Sequence, residues 1–160
     1  MKSELDKHDI IAWDMDGTLI DGRNSNSFRQ YIVNNPDKKH YIITFRDPNW
    51  ASRIFNELEA CGMDDPSVYI DGIYSCPVDW HYYNDVNHNP RMARVKTQYL
   101  ETNKITQETL DMYSRLFRQF KGSMAAELGC TVMVDDIDQW VEQGCIDNGV
   151  CFLHALDRYE

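Results

Sequence analysis

The stretch Ile10-Ile11-Ala12-Trp13-Asp14-Met15-Asp16-Gly17-Thr18-Leu19-Ile20 decides how this chain is read. Four apolar residues run directly into two carboxylates spaced two apart, then a glycine. A short apolar run bounded by polar turn residues is the pattern of a strand buried on both faces. Asp14 ends that strand, so its carboxylate projects at the sheet edge. Residues two apart on extended backbone share a face. Asp14 and Asp16 are therefore expected to reach one substrate atom, and Gly17 permits the sharp turn that follows.

Working outward, four more runs have the same character. Tyr41-Ile42-Ile43 ends at Thr44, and Val68-Tyr69-Ile70 ends at Asp71. Thr131-Val132-Met133-Val134 ends at Asp135, and Val150-Cys151-Phe152-Leu153 is the last. Helix signals lie between them. Phe28, Ile32 and Val33 precede the stop Asn35-Pro36. Asp47-Pro48 is an N-cap and N1 pair, followed by Trp50, Ile54 and Leu58 at helical spacing. Thr106 caps a third pattern carrying Leu110, Tyr113, Phe117 and Phe120. Trp50 and Trp140 fall on apolar stripes and are expected in the core, and Asp138 is expected to cap the last helix. Strand–helix alternation predicts one α/β domain over 1–160, a parallel sheet with helices on both faces. Residues 73–120 are too many for a structureless connection. They are expected to form a partly helical insertion between the third and fourth strands, with helices near 91–101 and 106–120. It either lies over one end of the sheet or packs as a long crossover at its edge.

Composition narrows the function. The chain has 160 residues, 16 Lys+Arg and 26 Asp+Glu, a formal charge of −10. That balance disfavours nucleic-acid backbone and anionic membrane as partners, since both need a basic footprint. A small anionic ligand held locally with a metal ion remains compatible. No apolar run is long enough to span a bilayer, and the polar start is not that of a secretory signal. Five cysteines without a CxxC motif are expected to be reduced thiols in a cytoplasmic protein. Cys130 and Cys151 lie in apolar runs and are expected to be buried.

The chemistry follows from the strand ends. Asp14, Asp16, Asp135 and Asp136 would repel one another around a bare cavity. A hard divalent cation with oxygen ligands, Mg²⁺ above all, resolves this and screens a carboxylate nucleophile from an incoming phosphate dianion. One carboxylate can then act as nucleophile and the other as general acid. A calcium loop is excluded, because its first and last ligand positions would fall on Ala12 and Arg23. No GxGxxG, GxxxxGK[ST] or HExxH occurs. Cys76, His81 and His88 match no zinc spacing. Trp80, Tyr82 and Tyr83 could stack on a nucleobase, although aromatic clusters more commonly serve packing.

A strand followed by Asp14-Met15-Asp16-Gly17-Thr18 resembles the hallmark of the haloacid dehalogenase-like (HAD) superfamily of phosphohydrolases. The resemblance covers the sheet elements at 9–72 and 121–155 and leaves the insertion unmatched. It implies a three-layer Rossmannoid fold and a Mg²⁺-dependent phosphomonoesterase. Asp14 would be the nucleophile that forms an aspartyl-phosphate. Asp16 would be the acid/base, with its backbone carbonyl on the metal. Thr44 would bind the transferring phosphoryl, and Gly17, Thr18 and Arg46 would contact phosphate. Arg46 could equally pair with a carboxylate. Asp136 would ligate the metal directly, with Asp135 outside it. The family's lysine is assigned to Lys121, at the start of a short helix leading into the fourth strand, with Lys96 and Lys104 as alternatives. The intact Asp14/Asp16 pair favours phosphate chemistry over dehalogenation. Small members of similar appearance act on nucleotides or nucleic-acid ends, so a small phosphorylated metabolite or nucleotide is the expected substrate. A phosphotransferase, a nucleic-acid-end phosphatase and a non-catalytic binding module are the alternatives.

Overall fold

A computed structural model describes all 160 residues. In chain order the elements are α1 (Lys2–Leu5), β1 (Ile10–Trp13), α2 (Ser25–Asn34), β2 (Lys39–Thr44), α3 (Pro48–Ala51), α4 (Ile54–Ala60) and β3 (Gly72–Ser75). Then come α5 (Val78–His88), α6 (Ala93–Glu101), α7 (Gln107–Glu127), β4 (Val132–Asp135), α8 (Asp138–Asp147) and β5 (Cys151–His154). The strands form one all-parallel sheet in the order β3-β2-β1-β4-β5. This is a Rossmann-like α/β arrangement.

Alternation along the strands sorts the core. Ile11 and Trp13 of β1 join Ile42, Val132 and Val134 with Phe28 and Ile32 of α2 and Ile54 and Leu58 of α4. Ala12, Ile43 and Met133 join Phe117, Phe120 and Ala125 of α7 and Val141 and Cys145 of α8. A smaller cluster of Val86, Ile105 and Leu110 ties α5 and the start of α7 together. Helices α7 and α8 approach backbone to backbone. A Cβ on Gly122 would lie 2.2 Å from the Gly144 carbonyl, so only glycine fits there.

Several expectations need correcting. The strand expected at 68–70 is not formed. Asp65 turns the chain with φ 46°, and Pro66–Val68 make a 3-10 turn. Proline suits the start of such a turn and cannot donate to a ladder. The third strand is β3 instead, so the segment 73–120 opens with sheet. The helices beyond β3 stack outward from the sheet. Helix α7 is the crossover packed on the sheet and on α8, while α5 packs on α7 and α6 on α5. The helix over 48–60 is broken at Ser52-Arg53, where the Ser52 hydroxyl donates to the Asn49 carbonyl at 2.6 Å. Lys121 sits within the 21-residue α7 rather than starting a short helix. Asp138 is the first residue of α8, one past the cap position. Trp50 and Trp140 are 46% and 38% exposed, not core. Cys151 is also exposed, because it begins the edge strand β5.

One buried polar group gives the fold a pH signature. His40 has no exposed surface. Its Nδ1 accepts from Trp13 Nε1 at 3.1 Å and its Nε2 lies 3.0 Å from the Asn35 carbonyl oxygen. That pairing requires the neutral ring protonated at Nε2, and burial holds the imidazole below its usual pKa. The unfolded chain therefore takes up the proton first, and His40's contribution is lost as pH falls below about 6.5. His40→Gln is expected to show a smaller loss of stability between pH 7 and pH 5 than the native chain in urea unfolding. The comparison isolates His40 from the buried carboxylates, whose raised pKa values act in the opposite sense.

Candidate active site

The strand order reverses at β1, which lies between β2 and β4. In open parallel sheets such a reversal opens a crevice at the carboxyl ends of the strands. Three side chains arrive there from successive sheet positions: Asp14 just after β1, Thr44 at the end of β2 and Asp135 at the end of β4. With Asp16, Arg46, Lys121 and Asp136 they line a cavity of about 190 Å³. A larger cleft of about 440 Å³ beside Asp6, Asn35 and Tyr159 lies by the starts of β1 and β2, away from these groups.

Lys121 is the hub. Its ammonium donates to Asp14 Oδ1 at 2.7 Å and to Asp135 Oδ2 at 2.6 Å, and all three residues are buried. Nζ also lies 4.4 Å from the centre of the Phe45 ring. Burial alone would lower the lysine pKa, but Asp135 and Asp14 together drive it well above its usual range. Lys96 donates to the Asn87 carbonyl and Lys104 stacks on Tyr99, so neither serves the cavity.

Asp14 is held on its other oxygen by the Thr18 hydroxyl, which donates to Oδ2 at 3.1 Å. Burial pushes its pKa up to about 6; Lys121 opposes the rise and Asp136 adds to it. Asp14, Asp135 and Asp136 each place a carboxylate oxygen within 4.8 Å of the others. Set against one lysine, the three carry excess negative charge that calls for a proton or a cation.

The two residues of the acidic doublet differ. Both Asp135 oxygens are engaged, Oδ2 by Lys121 and Oδ1 by the Ile137 N–H at 3.0 Å. Asp136 Oδ1 is buried without a partner. Orphaned buried carboxylate oxygens are rare and costly. A hard divalent cation would satisfy this one, so the donor set fits Mg²⁺, with Asp136 Oδ1 as the open ligand and Asp14, whose oxygens each hold one hydrogen bond and keep a second lone pair, beside it. The Asp136 carboxylate sits against Gly17. A Cβ there would meet Oδ2 at 2.2 Å, and the backbone has φ 79°, so glycine alone fits both the turn and the space.

Asp16 lines the same cavity but its side chain stands outside the carboxylate cluster. Arg46 holds it in a fork, Nε to Oδ2 at 2.8 Å and NH2 to Oδ1 at 2.7 Å. The same guanidinium binds Glu57 through NH1 and NH2 and stacks over Trp50 at 4.5 Å. Arg46 is thus committed to two carboxylates, rather than free for phosphate as one reading of the sequence expected. Thr44 is buried, and its Oγ1 accepts from the Arg46 N–H at 3.0 Å. Sequence reasoning missed Glu57, which sits in an ordinary helical pattern, and the roof of the cavity, formed by Phe45, His81, Phe117, Ile137 and Trp140. Neither has a local signal, because the partners come from separate elements. Cys76 lies in the core, and with His81 and His88 it forms no ligand cluster.

Compared with protein-family models, curated proteins and solved structures, the chain matches none.

Proposed function

We propose that this protein is a Mg²⁺-dependent phosphomonoesterase of the HAD type, with the layered Rossmannoid fold of that superfamily. The observation that carries the reading is the placement of Asp14: a buried carboxylate held by Lys121 and clustered with Asp136, one of whose oxygens is buried without a partner, at the carboxyl end of the sheet. A structural ion pair does not need a third carboxylate left unsatisfied beside it.

Mg²⁺ would supply charge neutralisation between the carboxylates and the phosphoryl oxygens. Asp14 is the nucleophile. Its Oδ1 is steadied by Lys121 and its Oδ2 by Thr18, and it attacks phosphorus in line with the departing alcohol. The bond to the ester oxygen breaks as the bond to Asp14 forms, and Asp16, once one of its oxygens has left the Arg46 fork and taken a proton from solvent, gives that proton to the leaving alkoxide. Asp16 then takes a proton from water, which hydrolyses the aspartyl-phosphate and frees Asp14. Lys121 and the Thr44 hydroxyl stabilise the equatorial oxygens; the Gly17 and Thr18 N–H groups, expected from the sequence to contact phosphate, donate instead to the Ile20 and Met15 carbonyls at 2.9 and 3.3 Å. Phosphate release from p-nitrophenyl phosphate, with and without Mg²⁺, tests the reading. Equal rates after removal of divalent cations would count against it.

Arg46 acts through Asp16, as a positioning residue. Arg46→Ala frees the acid/base from its fork, so Asp16 holds a proton more readily but loses its fixed place beside the leaving group, and the loss of position dominates. General acid catalysis contributes roughly 10²–10⁴-fold, and a loss of at least tenfold in kcat is expected for alkyl phosphates. The loss should be much smaller for p-nitrophenyl phosphate, whose leaving group departs without a proton. Arg46→Lys, with a single ammonium, should restore only part.

A further inference from the structure

The amino ends of the strands carry a second group of ligand-type side chains, at the opposite end of the sheet from the catalytic cavity. Glu4 lies in α1, His8 stands just before β1, and Cys151 opens the edge strand β5. The chain keeps turning past α1, with the Lys7 and His8 N–H groups donating to the Glu4 and Leu5 carbonyls. Glu4 and His8, four residues apart, therefore share a face. A carboxylate oxygen of Glu4, a ring nitrogen of His8 and the Cys151 sulfur all lie within 4.8 Å of one another.

The imidazole is prepared for a metal. Its Nδ1 lies 2.8 Å from the Thr131 hydroxyl oxygen. With Nδ1–H donating there, Nε2 carries a bare lone pair, and this atom is buried without a hydrogen-bond partner. Histidines that bind metals are oriented in this way, by a hydrogen bond from the other ring nitrogen. Nε2 lies among the other two donors, with Glu4 Oε1 at 3.9 Å, too far for a hydrogen bond. Bonds of about 2.0–2.3 Å to a tetrahedral ion set its donor atoms roughly 3.3–3.6 Å apart. Small side-chain movements close the set. The way in runs through the other two ligands, because the Glu4 side chain is 38% exposed and Cys151 is exposed. Lys7 holds Glu4 Oε2 at 2.8 Å and leaves Oε1 toward His8, while Lys38 donates to the Asp6 and His8 carbonyls.

We propose that Glu4, His8 and Cys151 form a zinc site, separate from the carboxylate cluster of the catalytic cavity. Thiolate sulfur and imidazole nitrogen select Zn²⁺ over Mg²⁺ or Ca²⁺, which take oxygen ligands. The Cys151 thiol gives its proton to solvent and binds as the thiolate. With the Glu4 carboxylate it cancels the charge of the ion, and water takes the fourth position. The bound ion ties the N-terminal helix to the edge strand.

Cobalt is the probe, because Co²⁺ occupies tetrahedral zinc sites and a thiolate ligand gives it an intense charge-transfer band in the near ultraviolet. The reduced native chain, titrated with Co²⁺ in excess Mg²⁺, should develop this band to a single equivalent and lose it when Zn²⁺ is added. Cys151→Ser should abolish the band, whereas Cys61→Ser, at the other exposed cysteine, should keep it. Thr131→Val removes the support of the ring and should weaken Zn²⁺ binding about 10–100-fold, measured by competition with a chromogenic chelator. Zn²⁺ should raise the melting temperature of the native chain and leave that of Cys151→Ser unchanged. No band in the native chain, or an undiminished band in Cys151→Ser, would overturn the site. None of these readouts needs turnover, so the result stands apart from the phosphatase reading.

Discussion

Asp14→Asn is expected to reduce turnover of p-nitrophenyl phosphate to below about one per cent of native, and no concentration of Mg²⁺ should restore it. The amide nitrogen and oxygen can occupy the same space, but neither forms the covalent phosphoryl ester. The fold should persist. Asp14 is buried with a pKa pushed up to about 6, so replacing it with a neutral isostere removes charge that the interior tolerates poorly. Lys121 keeps Asp135 as its partner. Circular dichroism and a melting curve would establish the fold, and initial rates would establish the loss. Retention of more than a few per cent of activity in a folded variant would remove Asp14 from the role of nucleophile, and with it the whole covalent route.

Lys121→Met should give the largest stability change of any single substitution in the site. The ammonium bridges Asp14 and Asp135, and all three groups are buried, so solvent screening is minimal. Removing one partner of a buried ion pair costs about 3–5 kcal/mol, because the remaining charges are left uncompensated. Methionine fills most of the volume and keeps the contact with Phe45, which confines the effect to charge. The pH dependence carries a definite sign. Without the lysine, Asp14 and Asp135 titrate higher than in the native protein, so the folded variant binds more protons than its unfolded chain. Its deficit relative to native should therefore be greatest above pH 7 and should shrink as pH falls toward about 6, where native Asp14 also takes up its proton. Urea unfolding at pH 8 and pH 5.5 measures both values. A variant as stable as native at pH 8 would show that the cluster is not held by this cation.

Much of the site could be read along the chain because its chemistry sits at strand ends. Asp14, Thr44 and Asp135 each follow a run of apolar residues, and a parallel sheet brings such ends to one edge whatever its strand order. The Asp14-x-Asp16-Gly17-Thr18 pattern added the turn and the hydroxyl that holds Asp14. Lys121 was harder, since its place depends on the angle at which a 21-residue helix crosses the sheet. Local pattern could name it only as one of three lysines. Glu57 and the Arg46 fork lay beyond reach for the same reason: an ion pair between α4 and the loop after β2 has no periodic signature. Strand β3 was missed because Gly72-Ile73-Tyr74-Ser75 holds only two apolar residues, while Val68-Tyr69-Ile70 looks more like a strand and is diverted by Pro66. Trp50 and Trp140 follow helical spacing, yet one serves as a platform for Arg46 and the other as a cavity wall. Spacing identifies a shared face of a helix but says nothing of whether that face meets core or cleft.

The glycine contact between α7 and α8 reaches further than helix packing. Gly122 is the immediate neighbour of Lys121, and its missing side chain lets the two main chains touch. The seat of the ammonium is thereby fixed by a steric stop one residue along the same helical turn. One extra methyl at that stop would force the two helices apart and move the charge relative to both acids, so an apparently mechanical spacer also sets the charge balance of the cavity.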